Sequence, residues 1–299
     1  MKSVIRTREL SKKFGKSLVL DRLDLNVPEG SIYGLVGPNG AGKTTTIKVL
    51  MNIIQPTAGR SEVLEADSCH LGPEQFAQIG YVSENQEMPE WMTVGYYLEF
   101  LSNFYPTWDR GLASELVRDL QLPPGRKLQH LSHGMRMKAA LASSLAYRPK
   151  LMVLDEPFTG LDALVRDELI EGVLAHTEGT TIFISSHDLT EIESFVSHVG
   201  YLEQGRLQFS EELESLSARF REIVLTFAAA PDLPACWPTT WLQPQTSGAV
   251  LRLVETQFDA GRTAAEARRV FPAFRDMTAT PMPLRSIFVT LAKSARKTI

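Results

Sequence analysis

The sequence predicts an α/β protein: a covered parallel sheet with a helical insert, followed by a small α+β appendage. Three observations lead there. The short runs SIYGLV (31–36), LMVL (151–154) and TIFIS (181–185) are continuously apolar, as strands buried on both faces are. A helical pattern, TTIKVLMNII, follows the first run across a glycine-rich loop. Beyond about residue 210 the composition shifts to short strands, prolines and amphipathic helices.

The elements follow in order. Residues 4–9 and the alternating Leu23, Leu25 and Val27 read as strands, and Pro28-Glu29-Gly30 turns the chain. Between roughly 85 and 140 the chain is rich in aromatics and methionine and helical in pattern, broken at Pro106 and Pro123-Pro124. YLEQGRLQF reads as a hairpin with Gln204-Gly205 at its tip. In the appendage, EIVLTF and AVLRLV read as strands separated by the loop AAAPDLPACWPTTWLQPQTSG, which holds four prolines. Thr263 and Glu266 have capping-box spacing for the helix AAEARRVF, which Pro272 stops. PLRSIFVTLAKSA makes a last amphipathic helix. The expected organisation is a domain over 1–210, with its insert at about 85–140, and an accessory α+β domain over 211–299.

Composition narrows the function. Over 299 residues, 43% apolar and 22% charged is ordinary for a globular protein, and a net charge of -4 leaves no basic footprint for nucleic acid. Cys69 and Cys236 stand far apart and fit a reducing compartment rather than a disulfide framework. Cys69-His70 finds no second Cys/His pair to complete a metal site. MKSVIRTRELSKKF lacks the apolar core of a signal peptide. No apolar run approaches the ~20 residues of a membrane helix. A chain soluble by itself is expected, any membrane crossing being left to another subunit.

Gly37-Pro38-Asn39-Gly40-Ala41-Gly42-Lys43-Thr44 fits the pattern G-x-x-x-x-G-K-S/T, after a strand and before a helix. Glycines let successive backbone N–H groups converge on phosphate oxygens, and the helix directs its positive end at the same anion. Lys43 is expected to reach the β- and γ-phosphates and the Thr44 hydroxyl to take Mg²⁺; Thr45 is counted with the nucleotide-binding residues. LMVLDEP then brings Asp155 to the carboxyl edge of the sheet, where it can hold Mg²⁺, with Glu156 placed to deprotonate an attacking water. That is a hydrolase arrangement. A guanine-reading N-K-x-D is absent from the sequence.

LSHGM (131–135), LMVLDEP, GLD (160–162) and SSH (185–187), in this order after a phosphate loop, resemble the ATP-binding cassette ATPases over about residues 4–209. The resemblance implies a P-loop NTPase (RecA-like) core with an N-terminal antiparallel β subdomain and a helical insert, and ATP with Mg²⁺ as cofactors. It implies that Ser132 and Gly134 cap the ATP held by a second, antiparallel cassette. A hydroxyl, an N–H and a helix N-terminus are suitable donors for a γ-phosphate. By the same resemblance Phe14 stacks on adenine, Asp162 lies in a loop coupling the two sites, and His187 contacts the γ-phosphate and positions water. Two positions depart from the family pattern. Glu84 stands where a glutamine normally binds Mg²⁺, with Gln86 two residues on, and His133 replaces the first glycine of a Gly-Gly pair.

The resemblance further implies a separate membrane permease gripped by the insert and a second cassette, so that homodimers are expected. It places the subunit in the cytoplasm, peripheral at the inner face of the membrane. Met88, Trp91, Met92 and the aromatics of VGYYLEFLSNFY are expected either to form that grip or to pack the insert's own core. The element order and the final helix resemble exporter (ABC-2) subunits. The alternative is a soluble cassette ATPase of translation or DNA repair.

Overall fold

In the computed structural model the chain forms two compact units, Met1–Ser210 and Glu211–Ile299. The structure describes residues 2–234 and 236–295; Met1, Ala235 in the proline-rich loop and residues 296–299 at the end of the appendage lie outside them.

The first unit opens with β1 (Ser3–Phe14), β2 (Ser17–Leu23), β3 (Asn26–Pro28), β4 (Ile32–Val36), α1 (Lys43–Leu50), β5 (Ala58–Val63) and β6 (Ala66–Asp67). It continues through α2 (Pro73–Phe76), β7 (Ile79–Ser83), α3 (Val94–Ser102), α4 (Arg110–Asp119) and α5 (His133–Leu145). β8 (Leu151–Asp155), α6 (Ala163–His176), β9 (Thr181–Ser186), β10 (His198–Glu203) and β11 (Arg206–Glu212) follow.

An antiparallel layer, ordered β2-β1-β5-β6 with β3 also against β1, covers one side of this unit. Its inward Ile5, Leu10, Leu20 and Leu23 share a core with Tyr33, Ile47, Leu50 and Phe183. The main sheet runs β11-β10-β4-β9-β8-β7, and β10, β4, β9, β8 and β7 are mutually parallel. Every residue of β8 and β9 is buried, which is why both read as unbroken apolar runs. The hairpin tip between β10 and β11 has φ of 51° at Gln204 and 75° at Gly205, the paired left-handed residues of a type I′ turn.

Four helix starts in this unit fall where Ser, Thr or Asp caps them. Thr93, Asp109, Ser132 and Asp162 stand at the N-caps of α3, α4, α5 and α6, each accepting an N–H three residues on. The insert divides its apolar residues. Met88, Met92 and Tyr97 are buried in it, whereas Trp91, Tyr96, Phe100 and Phe104 are exposed. The two methionines are therefore core and not surface. Tyr96 and Phe100, four residues apart on α3, share one helical face, and Phe104 just past its end meets the Phe100 ring edge-on at 5.1 Å.

The appendage comprises α7 (Leu213–Arg219), β12 (Arg221–Thr226), β13 (Trp241–Ser247), β14 (Val250–Glu255), α8 (Ala260–Val270), β15 (Asp276–Pro281) and α9 (Leu284–Ala295). Its antiparallel sheet is ordered β13-β14-β12-β15, over a core of Ile223, Leu225, Trp241, Leu251, Leu253 and Phe271. Two expectations need correction. Residues 241–247, expected within a loop, form the edge strand β13, whose register shifts between Leu242 and Gln245 around Pro244. An edge strand tolerates a proline that a central one would not. The capping box at Thr263 also fails. α8 starts earlier, capped by Asp259, and Thr263 is buried within its first turn.

Candidate active site

The parallel register assembles the site. Val36 pairs with Ser186 and Asp155 with Ser185, so β4, β8 and β9 end together at one sheet edge. Here β4 lies between β9 and β10, where the connections diverge, the usual place for a ligand crevice. A groove of about 510 Å³ opens there, and Asn39, Lys43, Thr44, Glu84, Glu156 and His187 line it. Gly40, Gly42 and Thr45 also reach it.

Between β4 and α1 the loop must pass very close to other backbone. A Cβ on Gly37 would lie 2.1 Å from the Leu202 carbonyl oxygen. Gly42, the N-cap of α1, has φ of 110°, which side chains rarely tolerate. Pro38 and Ala41 serve the loop's own fold, the Ala41 N–H donating to the Pro38 carbonyl at 3.1 Å. The buried Lys43 ammonium donates to the carbonyls of Gly37 (2.6 Å) and Pro38 (3.2 Å). It also lies 3.0 Å from Glu156 Oε1. Incoming phosphate oxygens would compete for the same cation.

Asp155 is buried, and its Oδ1 accepts from Thr44 Oγ1 (3.1 Å) and Ser185 Oγ (2.7 Å). Burial pushes its carboxyl above the usual range, while the Ser185 and Thr44 hydroxyls oppose that. Glu156 sits in the left-handed region with φ of 51°, a strained setting for a residue that is not glycine. Its N–H donates to Ser185 Oγ at 3.0 Å. Its Oε2 lies 2.8 Å from His187 Nδ1 and accepts from Thr159 Oγ1 at 3.3 Å. Burial opposes ionisation of Glu156, but His187 and Lys43 outweigh it and hold the carboxyl below its ordinary value.

The Glu84 N–H donates to the Asp155 carbonyl at 3.1 Å, which fixes Glu84 at the groove wall. Gln86 points elsewhere, its Oε1 accepting from the Ser83 N–H. Thr44, Asp155 and Glu84 form a hard-oxygen donor set suited to Mg²⁺, which needs only one or two carboxylates when phosphates supply the rest. Among the described residues no group of three or more His, Cys, Asp or Glu could hold a metal ion.

Four sequence-expected residues belong neither to the groove nor to the loop and strand ends that build it. Phe14, at the end of β1, is half exposed with the Lys12 ammonium 5.0 Å above its ring. Ser132 and Asp162 are exposed or half-exposed helix caps, and Gly134 is buried where a Cβ would meet Val165 Cγ1 at 2.6 Å. Two residues that sequence reasoning passed over matter here: Ser185, which links the Asp155 carboxylate to the Glu156 backbone N–H, and Thr159. The signal for Ser185 was its place before Ser186-His187 at the end of an apolar strand aligned with β8.

The loop between β4 and α1 faces a strand-end Asp-Glu pair and a histidine. The family model described as ABC transporter matches residues 20–159. The bacitracin transport ATP-binding protein BcrA of Bacillus licheniformis is 34% identical over 226 residues, covering 74% of this chain and 74% of the relative. This chain belongs to the ATP-binding subunits of ABC transporters. Daunorubicin resistance ATP-binding protein DrrA2 of Streptomyces coeruleorubidus is 34% identical over 208 residues, 68% of this chain and 65% of that one. A solved ATP-binding subunit of an ABC transporter superposes with a TM-score of 0.66 at 25% identity, covering 72% of this chain and 92% of that one. The cassette is an ATPase with the P-loop NTPase fold. Among the described residues no helix is long and apolar enough to cross a membrane.

Proposed function

We propose that two of these cassettes close over two ATP molecules at the cytoplasmic face of a membrane and drive export through a separate permease. One observation carries the reading. Lys43, Thr44, Glu156 and His187 line a single groove, with Asp155 hydrogen-bonded to Thr44, while Ser132 and Gly134 stand on another helix start outside it. A groove that holds nucleotide but lacks its second set of donors is completed by another cassette. Relatives named for bacitracin transport and daunorubicin resistance support the exporter assignment.

Each residue then has a task. The loop N–H groups and Lys43 bind phosphates. Thr44, Asp155 and Glu84 would hold Mg²⁺, which would supply neutralisation of the phosphate charge. Glu156 accepts a proton from water as that water's oxygen bonds to the γ-phosphorus and the bond to the ADP oxygen breaks. His187 keeps Glu156 ionised and oriented for that transfer. Ser132 and Gly134 of the opposite cassette hold the γ-phosphate, where a dry site makes their dipoles count most. The exposed aromatic face of α3, with Trp91, supplies a grip for the permease.

Glu156→Gln tests this directly, with mass in solution measured beside hydrolysis. The expected variant binds ATP, does not turn it over, and shifts from monomer to dimer when ATP is added. A variant that stays monomeric with ATP bound would overturn the self-paired cassette.

A further inference from the structure

His133 stands where the resembling family carries glycine, and its side chain is engaged. Its Nε2 lies 3.2 Å from the Thr159 carbonyl oxygen. A carbonyl only accepts, so Nε2 carries the hydrogen. Thr159 belongs to the loop that leaves Glu156 and ends at Asp162, the cap of α6. Within that loop the Thr159 N–H donates to the Glu156 carbonyl (3.3 Å) and its Oγ1 donates to Glu156 Oε2 (3.3 Å). The same Glu156 oxygen faces His187, and the other carboxylate oxygen faces Lys43. An uninterrupted run of polar contacts therefore leads from the first turn of α5 to the catalytic carboxylate.

The two ends of that run serve different nucleotides in the function proposed above. Ser132, adjacent to His133, faces the ATP of the second cassette, whereas Glu156 acts on the ATP of its own. Packing reinforces the link, since Gly134 sits directly against Val165 in the first turn of α6. A glycine at 133 would leave the packing but remove the hydrogen bond. We infer that His133 is a positioning residue that ties engagement of the opposite cassette's nucleotide to the placement of Glu156 within its own subunit. Coupling of this kind needs a contact common to both sites, and Thr159 is that contact.

The inference rests on the two-cassette reading, and the experiment separates the two. ATP-dependent hydrolysis is followed for the wild type, His133→Ala, His133→Gln, Thr159→Val and the double variant His133→Ala/Thr159→Val. ATP binding to the undimerised subunit is measured alongside. Loss of one neutral hydrogen bond should lower kcat by about 3- to 10-fold. The Hill coefficient of His133→Ala should fall toward one, with unchanged affinity of the isolated subunit for ATP. Glutamine can donate to the same carbonyl, so His133→Gln should recover most of both. The double variant should lose less than the product of the single losses, because both changes cut one run of contacts.

Wild-type cooperativity in His133→Ala would overturn the tether while leaving the two-cassette reading intact. So would equal losses in the alanine and glutamine variants, or weakened ATP binding by the isolated alanine variant, either of which means a local packing defect. A wild type without cooperativity, together with a Glu156→Gln variant that never dimerises, would remove the two-cassette reading and the tether with it.

Discussion

His187 Nδ1 lies 2.8 Å from Glu156 Oε2, joining the ends of two adjacent parallel strands through their side chains. The hydrogen bond that the His187 ring donates to the Glu156 carboxylate raises the imidazole above its ordinary 6.5, so His187 is more readily charged folded than unfolded. Stability from a raised histidine is complete below the unfolded value and is lost as pH climbs through the higher folded one. Nucleotide-free wild type should therefore exceed His187→Gln in Tm by more at about pH 6 than at about pH 9. Thermal melts of both proteins across that range measure the gap. A gap independent of pH would mean that the imidazolium form contributes nothing.

Ser185 is the next weak point, because one hydroxyl serves both the Asp155 carboxylate and the backbone N–H of Glu156. It donates to Asp155 Oδ1 and accepts the Glu156 N–H, in a fully buried position. Ser185→Ala leaves both groups short of a partner at a cost of about 1–3 kcal/mol. Equilibrium denaturation should show that loss, and kcat should fall with it as Glu156 loses its support. An unchanged kcat would show that Lys43, His187 and Thr159 hold Glu156 in place without Ser185.

Much of this site is legible in the sequence because its chemistry is local. The phosphate loop, the Asp155-Glu156 pair and Ser186-His187 each follow a continuously apolar strand, and parallel pairing brings strand ends together without further instruction. Ser185 and Thr159 were not legible, since a serine or threonine after a strand is common and its worth appears only in the register. The appendage was harder to read for a different reason. Pro244 made β13 look like loop, although an edge position makes proline harmless there. Sequence does not decide between grip and core for Met88 and Met92, because both lie in the irregular chain before α3, where no helical period assigns a face.

Gly37 tests how tightly the phosphate loop is held. An added Cβ would sit 2.1 Å from the Leu202 carbonyl oxygen on β10, backbone against backbone, where no side chain can swing away. Gly37→Ala must therefore move the loop or the strand, at a cost on the order of 1–3 kcal/mol. Lys43 donates to the carbonyl of the same residue, so the displacement also misplaces the ammonium. ATP affinity should drop by at least about tenfold, since that corresponds to only ~1.4 kcal/mol. Titration with ATP measures it, and wild-type affinity would show that the loop yields freely.

Glu84 and Gln86 compete for the task that a glutamine performs in the resembling family, and their backbones separate them. The Glu84 N–H is tied to the Asp155 carbonyl and its side chain lines the nucleotide groove, whereas Gln86 folds back on the Ser83 N–H. A carboxylate beside Asp155 strengthens attraction for a divalent cation but adds negative charge next to the phosphates. Glu84→Gln should therefore weaken Mg²⁺ affinity of the ATP-loaded subunit by roughly tenfold, while Gln86→Ala should change it by less than about twofold. Mg²⁺ titrations of both variants, followed by nucleotide binding rather than turnover, distinguish the two residues. Weaker binding only in Gln86→Ala would require the loop after β7 to turn over when nucleotide enters, carrying Gln86 into the groove in place of Glu84.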